Sequence, residues 1–274
     1  MRTTLKTAGL LLLGLTLISL AGCKKDKSTS AKCRIVKEET AGSDTAYITY
    51  DAQGRISNYS DGFRGNYSFT YNGLSSAVSI QFPDTAEQLS MELSLNAQGN
   101  IIFMKSTRNT GGSTHNYTFA FTYDAEQHII QCLSSYHETG QASTTYSNDS
   151  LVWVDGNLVE RYAFYHDNLG PVSLFSHSEM EYTQDENKIG YYAFYYSEEP
   201  VGMLSGWEPF YPMFGKAPKN LPRQTNYFNS SGSQFFKYSF SYLLDSNGYL
   251  TEENVVRSMN YPKIVARKFE YSCE

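Results

Sequence analysis

The sequence predicts an all-β protein: a single antiparallel meander of hairpins, strongly curled or closed into a barrel-like sheet, with one proline-rich excursion. Three observations predict it. Hydrophobicity alternates with a period of two along most of the chain, as a half-buried strand requires. The alternating segments end in a recurring turn that opens with Asp or Asn and carries Gly at its fourth position. Five of the eight prolines fall between Glu199 and Arg223, so the rest of the chain is nearly free of the residue that central strands exclude.

The first element is not a strand. Arg2 and Lys6 precede a leucine-rich run from Ala8 to Leu20. That run is too short for a comfortable bilayer span and has the build of a secretory signal. Leu20-Ala21-Gly22-Cys23 then puts small residues just before a cysteine, which resembles the bacterial lipoprotein box. The resemblance implies removal of residues 1–22 and a palmitate-bearing lipid on Cys23, so that the membrane is met through the anchor. Lys24, rather than Asp, follows the cysteine; by the same resemblance this points to the outer membrane and leaves the leaflet open. Residues 23–32 are polar and without apolar period, a flexible tether that would reach about 30 Å if extended.

Residues 33–274 form the expected all-β domain. Tyr67, Phe69 and Tyr71 alternate with Ser68 and Thr70; Met91, Leu93 and Leu95 with Glu92 and Ser94. Tyr117 to Tyr123 and Phe236 to Tyr242 follow the same rule. Aromatic and threonine enrichment agrees with strand. Hairpin tips are expected near Gly54, Gly99, Asp124, Gly156 and Gly248. In each, an Asp or Asn carboxyl or amide oxygen can bond backbone two residues on, and glycine supplies positive φ in all but the Asp124 copy, which lacks it. Of the cysteines beyond the anchor, Cys33 opens the domain and Cys273 nearly closes the chain. Either they form a bridge across about 240 residues or they are two thiols on terminal strands. Cys132 sits on the apolar period and reads as a small buried hydrophobe.

The turn copies, such as Tyr50-Asp51-Ala52-Gln53-Gly54 and Tyr123-Asp124-Ala125-Glu126-Gln127, resemble the YD repeats of Rhs-type shell proteins. They also resemble a group of Bacteroidetes lipoproteins of unknown function built from similar hairpins. Phe214-Gly215-Lys216-Ala217-Pro218-Lys219-Asn220-Leu221-Pro222 is similar to a motif of that group. The first resemblance implies a shell or chaperone-like cavity; the second implies an envelope protein.

Composition excludes several functions. Loss of Arg2 and Lys6 takes the formal charge from −6 to about −8, which argues against nucleic acid and against broad adhesion to anionic lipid. The five histidines, His115, His128, His137, His166 and His177, lack metal-ligand spacing, and no CxxC pair exists. No cofactor loop, nucleophile elbow or catalytic motif is present, so no catalytic or metal residue is assigned. Trp207, Phe210, Tyr211 and Phe214 gather on the excursion as a candidate binding surface for a glycan or envelope protein. The competing reading is that they pack against the sheet. The favoured function is a lipid-anchored envelope protein that binds or scaffolds. The alternative is a polysaccharide- or peptidoglycan-directed hydrolase whose carboxylate pair is assembled in space, which a sequence does not reveal.

Overall fold

Sixteen antiparallel strands close on themselves. They belong to a computed structural model that describes residues 33–42, 45–62, 65–81, 88–110, 112–168, 170–190, 208–258 and 263–273. Residues 1–32, with the expected signal segment, Cys23 and tether, lie outside the described residues, as do the aromatic run 191–196 and Trp207. The strands are β1 (Cys33–Thr40), β2 (Thr45–Tyr50), β3 (Ile56–Asp61), β4 (Gly65–Asn72), β5 (Ser75–Gln81), β6 (Gln88–Leu95), β7 (Ile101–Thr110) and β8 (Ser113–Tyr123). They continue as β9 (Ile129–Glu138), β10 (Thr145–Val154), β11 (Asn157–Asp167), β12 (Ser173–Glu186), β13 (Asn220–Asn229), β14 (Gln234–Leu244), β15 (Leu250–Ser258) and β16 (Lys263–Cys273). Each strand pairs with its sequence neighbours, and β16 returns to β1, so no free edge is left among them. The expected meander is therefore a closed barrel.

The barrel is apolar inside and polar outside over most of its wall. Tyr67, Phe69, Val78, Met91, Leu93, Met104 and Phe119 are buried, while Ser68, Thr70, Ser79, Glu92, Ser94 and Lys105 between them face water. Sixteen strands drawn as an open cylinder would surround a water-filled channel. Here inward side chains such as Met104 (0 % exposed), Phe119 (1 %) and Val255 (1 %) meet no water, so side chains fill the interior. A packed interior is not the hollow that a shell would need.

The meander has two ends. At one, which we call the turn end, lie the predicted tips. Asp51 Oδ1 accepts from Gln53 N at 3.0 Å and Arg55 N at 2.9 Å, and Gly54 N donates to Asp51 O at 2.8 Å. Asn96, Asp124 and Asp245 repeat this geometry. The fourth position takes φ of 75° at Gly54, 86° at Gly99 and 78° at Gly248, and Gln127 adopts 72° in the copy without glycine. One further copy, Asn229 to Ser233, lies at the far end and was not anticipated.

The tyrosine of each Tyr-Asp copy also has a task. Where an even-numbered strand reaches the turn end, its last inward aromatic donates to a carbonyl near the start of the preceding strand. Tyr50 OH reaches Ile35 O at 2.8 Å, Tyr71 reaches Ile56 O at 2.9 Å and Tyr123 reaches Ile101 O at 2.6 Å. Trp153 Nε1 reaches Ile129 O at 2.7 Å, and Tyr182 reaches Leu158 O at 2.7 Å. Tyr242 and Tyr271 reach Pro222 O and Leu250 O at 2.6 and 2.5 Å. At the β5–β6 hairpin the position is Leu95, which has no donor. These latches bond carbonyls at strand starts while keeping the ring in the core.

One expectation is corrected. Pro222, counted with the excursion, lies within β13. The strand tolerates it because the pairing with β12 is irregular on both sides of Tyr182, its register partner.

Candidate functional site

Residues 208–219, the described part of the excursion, pack against the turn end of the barrel. A 3₁₀ helix, Glu208–Met213, carries Phe210 into the core, where its ring meets Phe69 at 5.6 Å and Tyr67 at 6.4 Å. Met213 and Phe214 are also buried, and Phe214 packs on Phe121 at 5.3 Å. Phe210 and Phe214 are thus core residues, not an exposed platform; the side chain of Tyr211 lies outside the described residues, with Trp207.

The segment after Phe214 is stitched to the rim of turns. Lys216 N donates to Gln127 O at 2.9 Å and Lys219 N to Gly156 O at 2.8 Å. Asn187 Nδ2 donates to Pro218 O at 2.9 Å, and Asn220 N to Asn157 Oδ1 at 2.9 Å. Gly215 has φ of 79°, and a Cβ there would lie 2.3 Å from Gln127 O and 2.9 Å from the Tyr123 ring. Only glycine fits. The Phe214–Pro222 motif is the seal between plug and rim.

Two sets of charges are buried in the barrel. Arg161 Nη2 lies 3.0 Å from Asp149 Oδ2, with both side chains nearly inaccessible. Burial pushes the Asp149 carboxyl up, and Arg161 pulls it back. Cys132, the register partner of Asp149, is a free, buried thiol that burial raises well above its usual value, so it is protonated at neutral pH and inert. The second set spans the seam where β16 meets β1. Arg267 lies between Glu38 Oε1 at 3.2 Å and Glu253 Oε2 at 2.7 Å. Lys37, with Glu270 at 2.6 Å and Glu39 at 2.7 Å, adds a more exposed pair at this seam. Cys33 and Cys273, on these two strands, are both disulfide-bonded. Among the described residues no three acidic, histidine or cysteine side chains are grouped to hold a metal. None of these charges was marked by spacing in the sequence, because partners such as Glu38 and Arg267 meet only on closure.

The far end has a different lining. On the inner face of β7, β8 and β9, Arg108, His115 and Glu138 stand in one register row. The next row holds Ser106, Tyr117, Tyr136 and Thr145. Tyr117 and Tyr136 stack at 5.0 Å, and His115 stacks on Tyr136 at 6.0 Å. The Tyr136 hydroxyl lies 2.9 Å from His115 Nδ1 and donates to Glu138 Oε2 at 3.4 Å. Burial raises both phenols, and Arg108 pulls Tyr117 back. Below them Tyr117, Phe119, Ser134, Ser135, Tyr136, Thr145 and Ser147 line a small recess with room for about one water molecule. Polar, half-buried side chains converge here on the inner face. This grouping was missed in the sequence, where His115 and Glu138 are 23 residues apart and look like ordinary strand positions.

No family model matches the sequence, and no curated protein matches it. Among described residues no helix is long and apolar enough to cross a membrane, which says nothing of strands. The fold is similar to that of a porin-like protein from Bacteroides vulgatus ATCC 8482, with a TM-score of 0.62 and 17% identity over 87% of this chain and 98% of that one. A porin-like protein from Bacteroides uniformis ATCC 8492 is similar with a TM-score of 0.57 and 16% identity, over 88% and 98%. At such identities the likeness is one of fold.

Proposed function

We propose that the protein is a lipid-anchored, water-facing barrel of the outer membrane that binds or scaffolds and does not catalyse. The observation that carries this reading is the direction of the strand faces. A barrel that spans a bilayer turns apolar residues out to lipid and polar ones in to the lumen. From β4 to β8 this wall does the reverse, with Ser68, Thr70, Glu92 and Lys105 outward and Phe69, Met91 and Phe119 inward, while β9 to β12 add exposed apolar residues such as Leu133, Val152 and Phe175. An outward lysine such as Lys105 at mid-wall would cost about 2–4 kcal/mol in hydrocarbon, and a glutamate such as Glu92 less. The barrel fold of porin-like neighbours supports an envelope setting, while the facing supports a barrel held beside the membrane. The Leu20–Cys23 box supplies the tie, and the Tyr-Asp turns support kinship with the lipoproteins of unknown function.

Cys23→Ser tests this. The native protein should incorporate labelled palmitate and partition into detergent. The variant should lose the label and, if released from cells, remain folded in water without detergent. A wild-type protein that carries no lipid, or one that inserts into planar bilayers and conducts ions, would overturn the reading.

A further inference from the structure

We propose that the outer wall of β7 to β12 is a membrane-contact face, which rests against the zwitterionic lipid surface to which Cys23 ties the barrel. This deepens the reading above and rests on its lipid anchor. One register row of outward side chains carries the argument. Across β7 to β12 it holds Phe103, Ala120, Leu133, Asn148, Phe164 and Leu174, each paired with the next. At about 4.8 Å per strand the row runs about 24 Å round the wall. Phe103 is 39 % exposed and Leu133 45 %. On β6, β5 and β4 the same row continues as Ser94, Ser75 and Asn72. The wall is thus apolar on one side of the barrel and polar on the other, and a one-sided apolar patch marks a contact surface.

A lipid surface fits this face better than a partner protein or a sugar. The wall of a closed barrel is convex; a fluid bilayer conforms to it, whereas a rigid partner needs a matching hollow. The flanking rows lie two residues away along each strand, about 6.6 Å. Towards the turn end they hold Gln131, Ser150, Tyr162 and His177, and towards the far end Thr118, Ser135, Tyr146 and His166. Hydroxyl, amide and ring groups suit the headgroup level once the apolar row is immersed by about 5–10 Å, as interfacial elements are. On β11 and β12 the carboxylates of Glu160 and Glu179 stand one row further off, and Lys105 beside the row on β7 has the length to snorkel. Tyr146 stacks on His166 at 4.9 Å and Tyr162 on His177 at 4.4 Å. These ring faces are spent on each other, which leaves no flat platform at either pair for a sugar to stack on. The chain outside the structure also bears on the occupant. Residues 23–32 reach about 30 Å, so an anchored barrel stays beside the bilayer, and at that effective concentration a shallow contact is enough. The acidic balance of the chain selects zwitterionic over anionic lipid.

The test uses the lipidated full chain in vesicles of phosphatidylcholine and phosphatidylethanolamine. A polarity-sensitive dye is attached through Leu133→Cys or, on the polar side, through Ser68→Cys; Cys132 is buried and does not compete for it. The dye at 133 should shift to the blue and be quenched by acyl chains spin-labelled about 5–10 Å below the headgroups, and the dye at 68 should do neither. Phe103→Ser combined with Phe164→Ser should abolish the quenching at 133 while circular dichroism stays that of the wild type. Quenching at both positions would mean that the barrel spans the bilayer, and would overturn this face together with the water-facing reading. Quenching at neither would reject the face and spare the anchor, on which palmitate labelling reports separately. Quenching at 133 that survives loss of both phenylalanines would also reject the row as the contact. A dye at 133 already blue-shifted in lipid-free Cys23→Ser protein would give the face to a second copy of the chain, and so refute the lipid assignment.

Discussion

Single residues decide how the turn end is built, and glycines separate two kinds of constraint. Gly99 has φ of 86° and nothing near its missing Cβ, so only the backbone conformation resists substitution. Gly215 has a similar φ, but a Cβ there collides with the Gln127 carbonyl, which is backbone and cannot swing aside. Gly99→Ala should therefore cost about 1 kcal/mol, the ordinary penalty of a left-handed residue. Gly215→Ala should cost about 3 kcal/mol or more, because the plug must back out of its seat. Urea denaturation of the two variants checks this. Equal costs would mean that the Phe214–Pro222 segment is not seated on the rim. Gln127 shows the converse: a non-glycine residue accepts positive φ where its carbonyl and side chain hold the plug and Asn100.

At the scale of elements, the hairpin is the repeating unit, and the tyrosine latch joins its two strands at the turn end. The latch phenols must stay protonated to donate. Burial raises Tyr50 and Tyr71 to about 12, and it raises Tyr123, Tyr182 and Tyr271 as well. An unfolded tyrosine titrates near 10. The folded state therefore holds more protons than the unfolded chain as pH climbs above that value. The sign follows: the latches contribute fully below about pH 10, and their contribution is lost as pH rises from there through about 12. The barrel should lose stability steeply in that window, with tyrosinate absorbance rising as the β-sheet dichroism signal is lost. Tyrosines that all titrate near pH 10 in the still-folded protein would show that the latches are open to water.

For the whole molecule, the critical place is the seam between β1 and β16. A meander of local hairpins can form from neighbours, but closure brings together residues more than two hundred positions apart, Glu38 and Arg267 among them. Arg267→Met would leave Glu38 and Glu253 buried without their shared cation and should cost about 3–5 kcal/mol. Replacing all three with apolar residues of similar size should restore most of that loss, since breaking a buried ion pair costs more than omitting it. Denaturation midpoints of the single and triple variants measure the difference. A triple variant as unstable as the single one would mean that the charges stabilise closure beyond satisfying each other.

The period of two, the Asp/Asn–Gly turns and the single break between Glu199 and Arg223 were sufficient in the sequence for the all-β meander and most of its tips. These are local properties: side-chain alternation and turn conformation depend on residues a few positions apart. The same reading left Phe210 and Phe214 suspended between platform and core, and it placed Pro222 in a loop, because each answer depends on which distant surface a segment meets. It could not choose between a curled and a closed sheet, since closure depends on the last strand finding the first. It passed over the latches, although a tyrosine directly before Asp51 and Asp124 is visible, because the carbonyl it bonds lies a whole hairpin away, as Ile101 does from Tyr123. The row of Arg108, His115 and Glu138 exists only through strand register. Local chemistry determined what each hairpin is; tertiary structure alone decided how the sheet closes, where the Phe210–Phe214 segment seats and which polar groups meet at the far end.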